Sequence, residues 1–380
     1  MLKVTVAALL LALVPLSCVA QDAPHAPLWQ SHIVSGDPLL FVRESGHAHA
    51  SASLLFVPRR MPHLESATRE VTYDPGKDFT WKPGSRTIEL TDHSRIPFRT
   101  DADLYSNPNE RDSFAVSKTH PGKVLLFAEG PPFHEMQAVA DYETDEHWTG
   151  FVPEGQAELL PRTLARLRSH EPIRLVVLGD SISTGANASA FIREEPFTPA
   201  YPQLVARGLQ HLGASRTTLM NLSVGGKTSS WGVTQIPAII ADRPDLLILA
   251  FGMNDALRDD SVGNSPAQYA RNMREMVERT RRALPGCEII LVATMIGNPD
   301  WALLDQSRFP AFRDELLGLQ GPGVAVADVT SFWADLLKRK SFEDLTGNGL
   351  NHPNDFGHEV YAQVILQTLQ PRPSTDGVPP

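Results

Sequence analysis

The sequence contains few cysteines: only Cys18 and Cys287 occur among its 380 residues. Cys18 lies in the apolar N-terminal segment, so its removal with that segment would leave Cys287 without a partner for an intrachain disulfide. Stability must then come from a hydrophobic core, which a chain of this length can build. We interpret Cys287, at the start of a largely apolar run, as a small buried hydrophobic residue. No group of cysteines and histidines has zinc-ligand spacing, and there is no glycine-rich phosphate loop, so we predict no metal and no organic cofactor.

Positive charge is also scarce, with 34 lysines and arginines against 44 acidic residues and a net charge of -10. A nucleic-acid partner would require a basic face that displaces counterions from phosphates, so this class of ligand is excluded. Long apolar runs are absent beyond the N-terminal segment, so the sequence predicts no membrane span. It does not indicate an oligomeric state.

The first twenty residues have the pattern of a segment that is removed from the mature protein. The run from Val4 to Leu16 is apolar, and Cys18 to Ala20 resembles a small-residue cleavage site. We therefore predict a signal peptide over residues 1–20 and a secreted or periplasmic location. A lipoprotein with lipidated Cys18 is an alternative, which Pro15 and Leu16 disfavour because both are poor choices just before such a cysteine.

The region 21–153 is predicted to form a β-rich N-terminal domain. Turn signals such as Pro75-Gly76 and Pro83-Gly84 separate short β-prone runs, a pattern typical of a β-sandwich or jelly roll. The runs are Leu39 to Val42, Ala52 to Val57, Arg69 to Tyr73, Thr87 to Leu90 and Val124 to Phe127.

From residue 154 to 380 the pattern changes to helices that alternate with mostly apolar strands. Such strands are buried on both faces, which predicts a mostly parallel five-stranded sheet in a three-layer α/β/α, flavodoxin-like domain. The predicted strands are Ile173 to Leu178, Leu219 to Val224, Leu246 to Phe251, Glu288 to Thr294 and Val324 to Val329. One helix should begin with a capping box formed by Ser265 and Gln268.

Polar motifs follow several of these strands, at the sheet edge where open α/β domains bind ligands. Ser181, in Gly179-Asp180-Ser181, should lie at a strand-to-helix turn near a helix N-terminus, with its N–H available to an oxyanion. Two further candidate donors are the glycine pair Gly225-Gly226 and the side chain of Asn254. His352 comes just before the last helix, which Asn354 can cap. Taken singly, each motif could instead be an ordinary polar turn, a helix cap or a structural histidine.

As an ordered set, these four motifs resemble the SGNH hydrolase superfamily of GDSL esterases and lipases, over roughly Ile173 to Leu369. The resemblance implies that Ser181 is the nucleophile and His352 the general base. It also implies an oxyanion hole formed by the Ser181 N–H, the Gly226 N–H and the Asn254 amide. Gly226 is preferred to Gly225 because it directly precedes Lys227-Thr228, like the family's glycine before its polar pair.

The sequence departs from the family at the acidic member of the triad. The family usually has an aspartate three residues before the histidine, and Gly349 occupies that position here. Asp344 could fold back to orient His352, Asn348 could act as a neutral partner, or a main-chain carbonyl could hold the ring and leave a Ser–His dyad. An orienting group fixes the histidine tautomer and stabilises the imidazolium. We predict Asp344 as the third member and leave the other two alternatives open.

The substrate class predicted by the resemblance is an acylated carbohydrate, with an acetyl ester as the bond that is cleaved. The protein is predicted to be exported, and its β-rich domain precedes the catalytic one, as in some two-domain carbohydrate acetylesterases it resembles. Trp231 and Trp301 lie in predicted loops and could stack on sugar rings or pack in the core. The alternatives are a lipase or aryl esterase of the same superfamily, and a non-catalytic glycan-binding protein.

Overall fold

A computed structural model describes residues 26–108, 114–259 and 261–372. The predicted signal peptide and Cys18 lie outside the described residues. Cys287 is buried, as expected from its apolar surroundings.

The N-terminal part of the chain is rich in short strands. They form a four-stranded sheet in the order β1-β11-β4-β5, a five-stranded sheet in the order β6-β7-β3-β2-β8 and a β9-β10 pair. Pairing is antiparallel except between β2 and β8. The expected sheet-rich region is confirmed. Its elements are β1 (Ile33–Leu39), β2 (Phe41–Arg43), β3 (Ser51–Ser53), β4 (His63–Ser66), β5 (Thr72–Tyr73), β6 (Phe79–Trp81), β7 (Thr87–Leu90), β8 (Phe98–Thr100), the 3-10 helix Asp101–Leu104, β9 (Tyr105–Ser106), β10 (Val124–Leu125), α1 (Pro131–Met136) and β11 (Ala138–Glu143).

Several of these strands are shorter than the apolar runs that predict them. The run from Ala52 to Val57 continues beyond β3, but its backbone groups leave the sheet. The N–H of Leu55 donates to the carboxylate of Asp37, and the N–H of Phe56 donates to the hydroxyl of Tyr142. Side-chain acceptors thus replace strand pairing, a long-range effect that a local pattern does not reveal.

The second half alternates helices and strands, as predicted. Its elements are the 3-10 helix Ala157–Leu159, α2 (Pro161–Arg168), β12 (Ile173–Gly179), α3 (Ser181–Thr184), α4 (Ser189–Ile192), α5 (Tyr201–His211), β13 (Thr217–Asn221), α6 (Ser229–Thr234), α7 (Ile236–Asp242), β14 (Leu246–Ala250), α8 (Pro266–Ala283), β15 (Glu288–Ala293), α9 (Arg308–Leu317), β16 (Val324–Asp328), α10 (Val329–Leu336), α11 (Phe342–Leu345) and α12 (Asp355–Gln367).

The five strands of this half form one fully parallel sheet in the order β13-β12-β14-β15-β16. The chain runs from β12 to β13 on one side and then crosses to β14 on the other. This reversal opens a crevice at the carboxyl end of β12, the position at which such sheets bind ligands. The predicted three-layer α/β/α architecture is therefore confirmed, and its sheet places residue 180 at the crevice.

Two helix starts show how far capping patterns predict local structure. Asn354 caps α12 by accepting the N–H of Gly357, as expected. Ser265 caps α8 by accepting the N–H of Gln268, but the expected capping box is incomplete. The side chain of Gln268 instead donates to Asn272, one turn along the helix.

The two halves share a continuous hydrophobic core. Trp29 packs edge-on against Phe332 of α10, and Trp148 stacks on the same ring with centroids 4.9 Å apart. A buried ion pair joins Lys340, which follows α10, to Asp37 of β1 at 2.9 Å. The predicted boundary at residues 153 and 154 stays a prediction.

Candidate active site

Ser181 is the first residue of the short helix α3, just after β12, an inner strand of the parallel sheet. The preceding residue, Asp180, caps this helix by accepting the N–H of Ile182 at 3.0 Å. The first N–H groups of a helix have no intrahelical acceptor, and among the described residues nothing accepts the N–H of Ser181. The turn therefore presents a hydroxyl and a free donor at the carboxyl edge of the sheet.

His352 lies between α11 and α12, and its Nε2 is 2.8 Å from the Oγ of Ser181. The structure thus brings together two residues 171 positions apart, as the sequence predicted. The ring is 7% exposed and Ser181 is half-buried, so the pair is accessible from solvent on the serine side.

Asn187, which the sequence analysis missed, faces the other nitrogen of the His352 ring. Its Oδ1 is 2.7 Å from Nδ1, while its Nδ2 donates to the carbonyl of Gly347 at 2.9 Å. The second bond fixes the orientation of the amide, so Oδ1 must face the ring as an acceptor. Nδ1 therefore carries the proton, and the Nε2 lone pair faces the hydroxyl of Ser181. This is the tautomer that a general base requires.

Asn348, one of the predicted alternatives, also lies at Nδ1, with its Nδ2 3.0 Å away. Its Oδ1 accepts the backbone N–H groups of Leu350, Asn351 and His352, so the amide cannot be reversed. The two hydrogens of Nδ2 are directed to Oδ1 of Asn351 and to a carboxylate oxygen of Glu129, each at 3.0 Å. Asn348 therefore holds the loop around the histidine and leaves Nδ1–H free to bond Asn187.

The prediction that Asp344 orients His352 needs correction. Its carboxylate accepts the N–H groups of Leu40 and Ser341 at 2.7 and 3.0 Å and lies 3.7 Å from the ammonium group of Lys340. It therefore joins α11 to the N-terminal half and caps that helix. Burial raises the pKa of Asp344, an effect that the charge of Lys340 opposes.

The candidate oxyanion donors lie on three neighbouring loops. Within the described residues, the N–H groups of Ser181, Gly225 and Gly226 have no acceptor. Asn254 donates one amide hydrogen to the carbonyl of Lys227 at 3.0 Å, which orients its Nδ2 and leaves the second hydrogen free. A Cβ on Gly225 would lie 3.7 Å from the Cβ of Ser181, whereas one on Gly226 would contact nothing within 4 Å. Gly225 is therefore the glycine that packs against the serine, and the preference for Gly226 as donor stays a prediction.

Two buried titratable groups flank the pair. Burial raises the pKa of Asp180 to about 7, opposed by the N–H of Ile182 and reinforced by the nearby charge of Asp255. Burial lowers the pKa of His358 to about 4, although its ring donates to the carbonyl of Ala186. His358 is therefore a neutral structural residue beneath the loop that carries Asn187.

The two tryptophans predicted to contact substrate differ in their environments. Trp301 is 4% exposed, and its indole N–H donates to the carbonyl of Phe114. The prediction that it stacks on a sugar is therefore wrong, because its ring packs against the N-terminal half. Trp231 is half-buried, and the ammonium group of Lys227 lies 6.0 Å from its ring centroid.

The described ranges contain no group of His, Cys, Asp or Glu side chains arranged to hold a metal ion. None of the helices described there combines the length and apolar composition of a membrane span.

A parallel α/β/α sheet with a hydrogen-bonded serine and histidine at its carboxyl edge has the architecture of a serine hydrolase. Comparison with known proteins points to the same class. Residues 177–360 match the GDSL-like Lipase/Acylhydrolase family.

This chain spans about half the length of the curated relatives that it matches. Esterase TesA of Pseudomonas aeruginosa is 28% identical over 123 residues, which are 32% of this chain and 54% of the relative. The thioesterase 1/protease 1/lysophospholipase L1 of Escherichia coli is 31% identical over 110 residues, 29% of this chain and 46% of the relative. A solved two-domain esterase active on acetylated mannans is 21% identical with a TM-score of 0.44, over 59% of this chain and 57% of that one.

Proposed function

We propose that this chain is an exported serine esterase that removes acetyl or other short acyl groups from carbohydrate. Ser181 is the nucleophile and His352 the general base. The observation that carries the proposal is the 2.8 Å contact between Ser181 Oγ and His352 Nε2, in a ring whose other nitrogen is held by Asn187. The family of residues 177–360 supports the same reaction class.

The first half-reaction is acylation of the serine. Oγ bonds to the ester carbonyl carbon as its proton moves to Nε2 of His352. The carbonyl electrons form an oxyanion that accepts from the N–H groups of Ser181 and Gly226 and from the amide of Asn254. Each such donor contributes roughly 3–4 kcal/mol in the transition state. The oxyanion then collapses, the C–O bond to the sugar breaks, and Nε2–H protonates the departing sugar oxygen.

The second half-reaction is hydrolysis of the acyl-enzyme. His352, neutral again, takes a proton from water as the water oxygen bonds to the acyl carbon. The same three donors bind the second oxyanion. Its collapse releases the carboxylic acid and returns the proton from Nε2 to Ser181.

A short acyl group fits the surroundings of the serine. Val224, Gly225 and Gly226 are exposed beside it, and Lys227 follows them. This loop offers little continuous apolar surface for a long acyl chain, and its exposure leaves room for a polymer that carries the ester. Trp231 next to Lys227 provides a half-buried aromatic ring near the loop. The predicted export would bring the enzyme to extracellular polysaccharide.

Initial rates on p-nitrophenyl acetate, butyrate and octanoate test the reaction and the acyl preference. We expect the highest kcat/KM on acetate and loss of nearly all turnover in Ser181→Ala. Ser45→Ala, which alters an exposed serine of the N-terminal half, should retain the parent rate. Release of acetate from acetylated xylan and mannan then tests the carbohydrate class.

Other outcomes identify the alternatives. A preference for octanoate would indicate a lipase, and turnover of aryl acetates without release from any acetylated glycan would indicate an aryl esterase. If no ester is hydrolysed, or if Ser181→Ala keeps full activity, the Ser181 mechanism is wrong. Glycan affinity in an inactive parent protein would then favour a binding protein.

A further inference from the structure

A segment of the N-terminal half lies against the histidine loop at the place where the family carries its aspartate. Gly349, three residues before His352, has φ +90°, and a Cβ there would overlap the carbonyl oxygen of Leu126 and lie 2.8 Å from the ring of Phe133. The N–H of Ala128 donates to the carbonyl of Asn348 at 3.2 Å, which fastens the segment to the loop. An aspartate side chain at position 349 therefore has no room.

The same segment brings a carboxylate to the histidine. Oε2 of Glu129 lies 3.4 Å from Nδ1 of His352, and its Oε1 accepts from Asn348 at 3.0 Å. Asn348 is itself fixed by three backbone N–H groups, so it holds the glutamate at the ring. In the residues that the structure describes, this is the carboxylate within ion-pair distance of the His352 ring.

We propose that Glu129, supplied by the N-terminal half, is the charge partner of His352 and replaces the aspartate missing at position 349. The inference rests on the proposed esterase function. Asn187 and Glu129 divide the task that a triad aspartate performs alone. Asn187 fixes the tautomer through a neutral hydrogen bond, and Glu129 stabilises the imidazolium that forms when Ser181 loses its proton.

The charges around the ring agree with this division. Burial acts to raise the pKa of Glu129, but the nearby His352 ring and the amide of Asn348 outweigh it, so the pKa lies below its ordinary value. Glu129 is thus ionised at neutral pH. His358 also faces His352, and it stays neutral there because its pKa is about 4. Asp180, with a pKa of about 7, lies directly before Ser181 and is common to every variant compared below.

The size of the effect follows from exposure. The side chain of Glu129 is 53% exposed, so water and salt screen its charge. Opposite charges about 4 Å apart in water attract by about 1 kcal/mol, which corresponds to roughly fivefold in rate. We therefore expect Glu129→Gln to lower kcat by about five- to tenfold with little change in KM. This is far less than the loss on removing a triad aspartate, because Asn187 keeps the tautomer.

The pH profile separates a charge from a structural support. Glu129→Gln can still accept the hydrogen bond of Asn348 but has lost the charge, whereas Glu129→Ala has lost both. If the charge matters, both variants lower the plateau of kcat/KM and move its acid limb to lower pH, by roughly half a unit to one unit. If Glu129 only holds Asn348, the pH profile of Glu129→Gln should match that of the parent. Glu135→Gln, which removes an exposed carboxylate on α1, is the matched control and should match the parent.

A second measurement does not depend on turnover. The pKa of His352, followed by NMR in a Ser181→Ala background and assigned with a His352→Asn variant, should fall when Glu129→Gln is added. An unchanged pKa and an unchanged pH profile would overturn the role of Glu129 while leaving the esterase intact. A lower pKa in a protein whose parent hydrolyses no ester would instead refute the proposed function and keep the pairing.

Discussion

At the scale of single residues, the site depends on which nitrogen of His352 carries the proton. A neutral acceptor can fix the tautomer as well as a carboxylate does, provided that its own orientation is fixed. Asn187 meets this condition because its Nδ2 is bonded to Gly347, and its 4% exposure keeps water from competing. Asn187 also has φ +64°, a conformation that asparagine tolerates better than most residues.

We expect Asn187→Ala to lower kcat by roughly 10²- to 10⁴-fold with a small change in KM, because the ring loses its acceptor and samples the wrong tautomer. Steady-state kinetics with p-nitrophenyl acetate measures this. Asn351→Ala serves as a comparison, since it removes an asparagine next to His352 that does not bond Nδ1. A loss below fivefold in Asn187→Ala would show that another group holds the ring.

The sequence predicts the serine and the histidine but not their supports, and the reason is physical. Ser181 and His352 stand in short motifs tied to a strand end and a helix start, which local patterns reveal. Asn187 and Glu129 reach the ring from 165 and 223 positions away, on loops without a motif. Asp344 is close to His352 in sequence, but its carboxylate accepts the N–H of Leu40 and lies beside the ammonium group of Lys340.

At the scale of elements, the parallel sheet was predictable because its strands are apolar throughout. The ends of these strands were less predictable. β13 ends at Asn221 rather than Val224, because the chain turns outward after Asn221 and forms the exposed glycine loop. The N-terminal strands were the most difficult to predict, since several are only two or three residues long. Beyond their ends, side chains such as Asp37 accept backbone N–H groups in place of a neighbouring strand.

In the loop from α11 to α12, position 349 has no room for a side chain, and we expect Gly349→Ala to destabilise the protein by about 3 kcal/mol or more. The substitution combines a strained positive φ with overlap against Leu126. Gly84→Ala is the matched control, because Gly84 has φ +82° and open space around it. Its cost should be the strain alone, about 1–2 kcal/mol.

Urea unfolding of both glycine variants gives the two free energies. The difference between them isolates the close approach of the N-terminal segment to the histidine loop. Equal costs for the two variants would mean that this segment can withdraw, and that the contact between residues 126 and 349 is loose.

At the scale of the whole molecule, the two halves are joined by charged groups as well as by the shared core. Lys340 is 1% exposed, and its ammonium group contacts the carboxylates of Asp37 and Asp344 and the carbonyl of Ser53. Two of these three partners belong to the N-terminal half. The cation therefore compensates buried negative charge on both sides of the junction.

We expect Lys340→Met to destabilise the protein by about 3–5 kcal/mol, because the removal of one partner leaves two buried carboxylates without a cation. Methionine keeps most of the side-chain volume, so the lost charge rather than a cavity would set the cost. Lys338→Met is the control: Lys338 is 75% exposed and pairs with Asp335 at the surface, so its loss should cost at most about 1 kcal/mol. Urea unfolding measures both free energies.

If Lys340→Met unfolds in two steps, the loss of the ion pair has uncoupled the two halves. A single transition at lower urea means that the core alone keeps them cooperative, and an unchanged midpoint would show that water reaches the junction and neutralises the charges there.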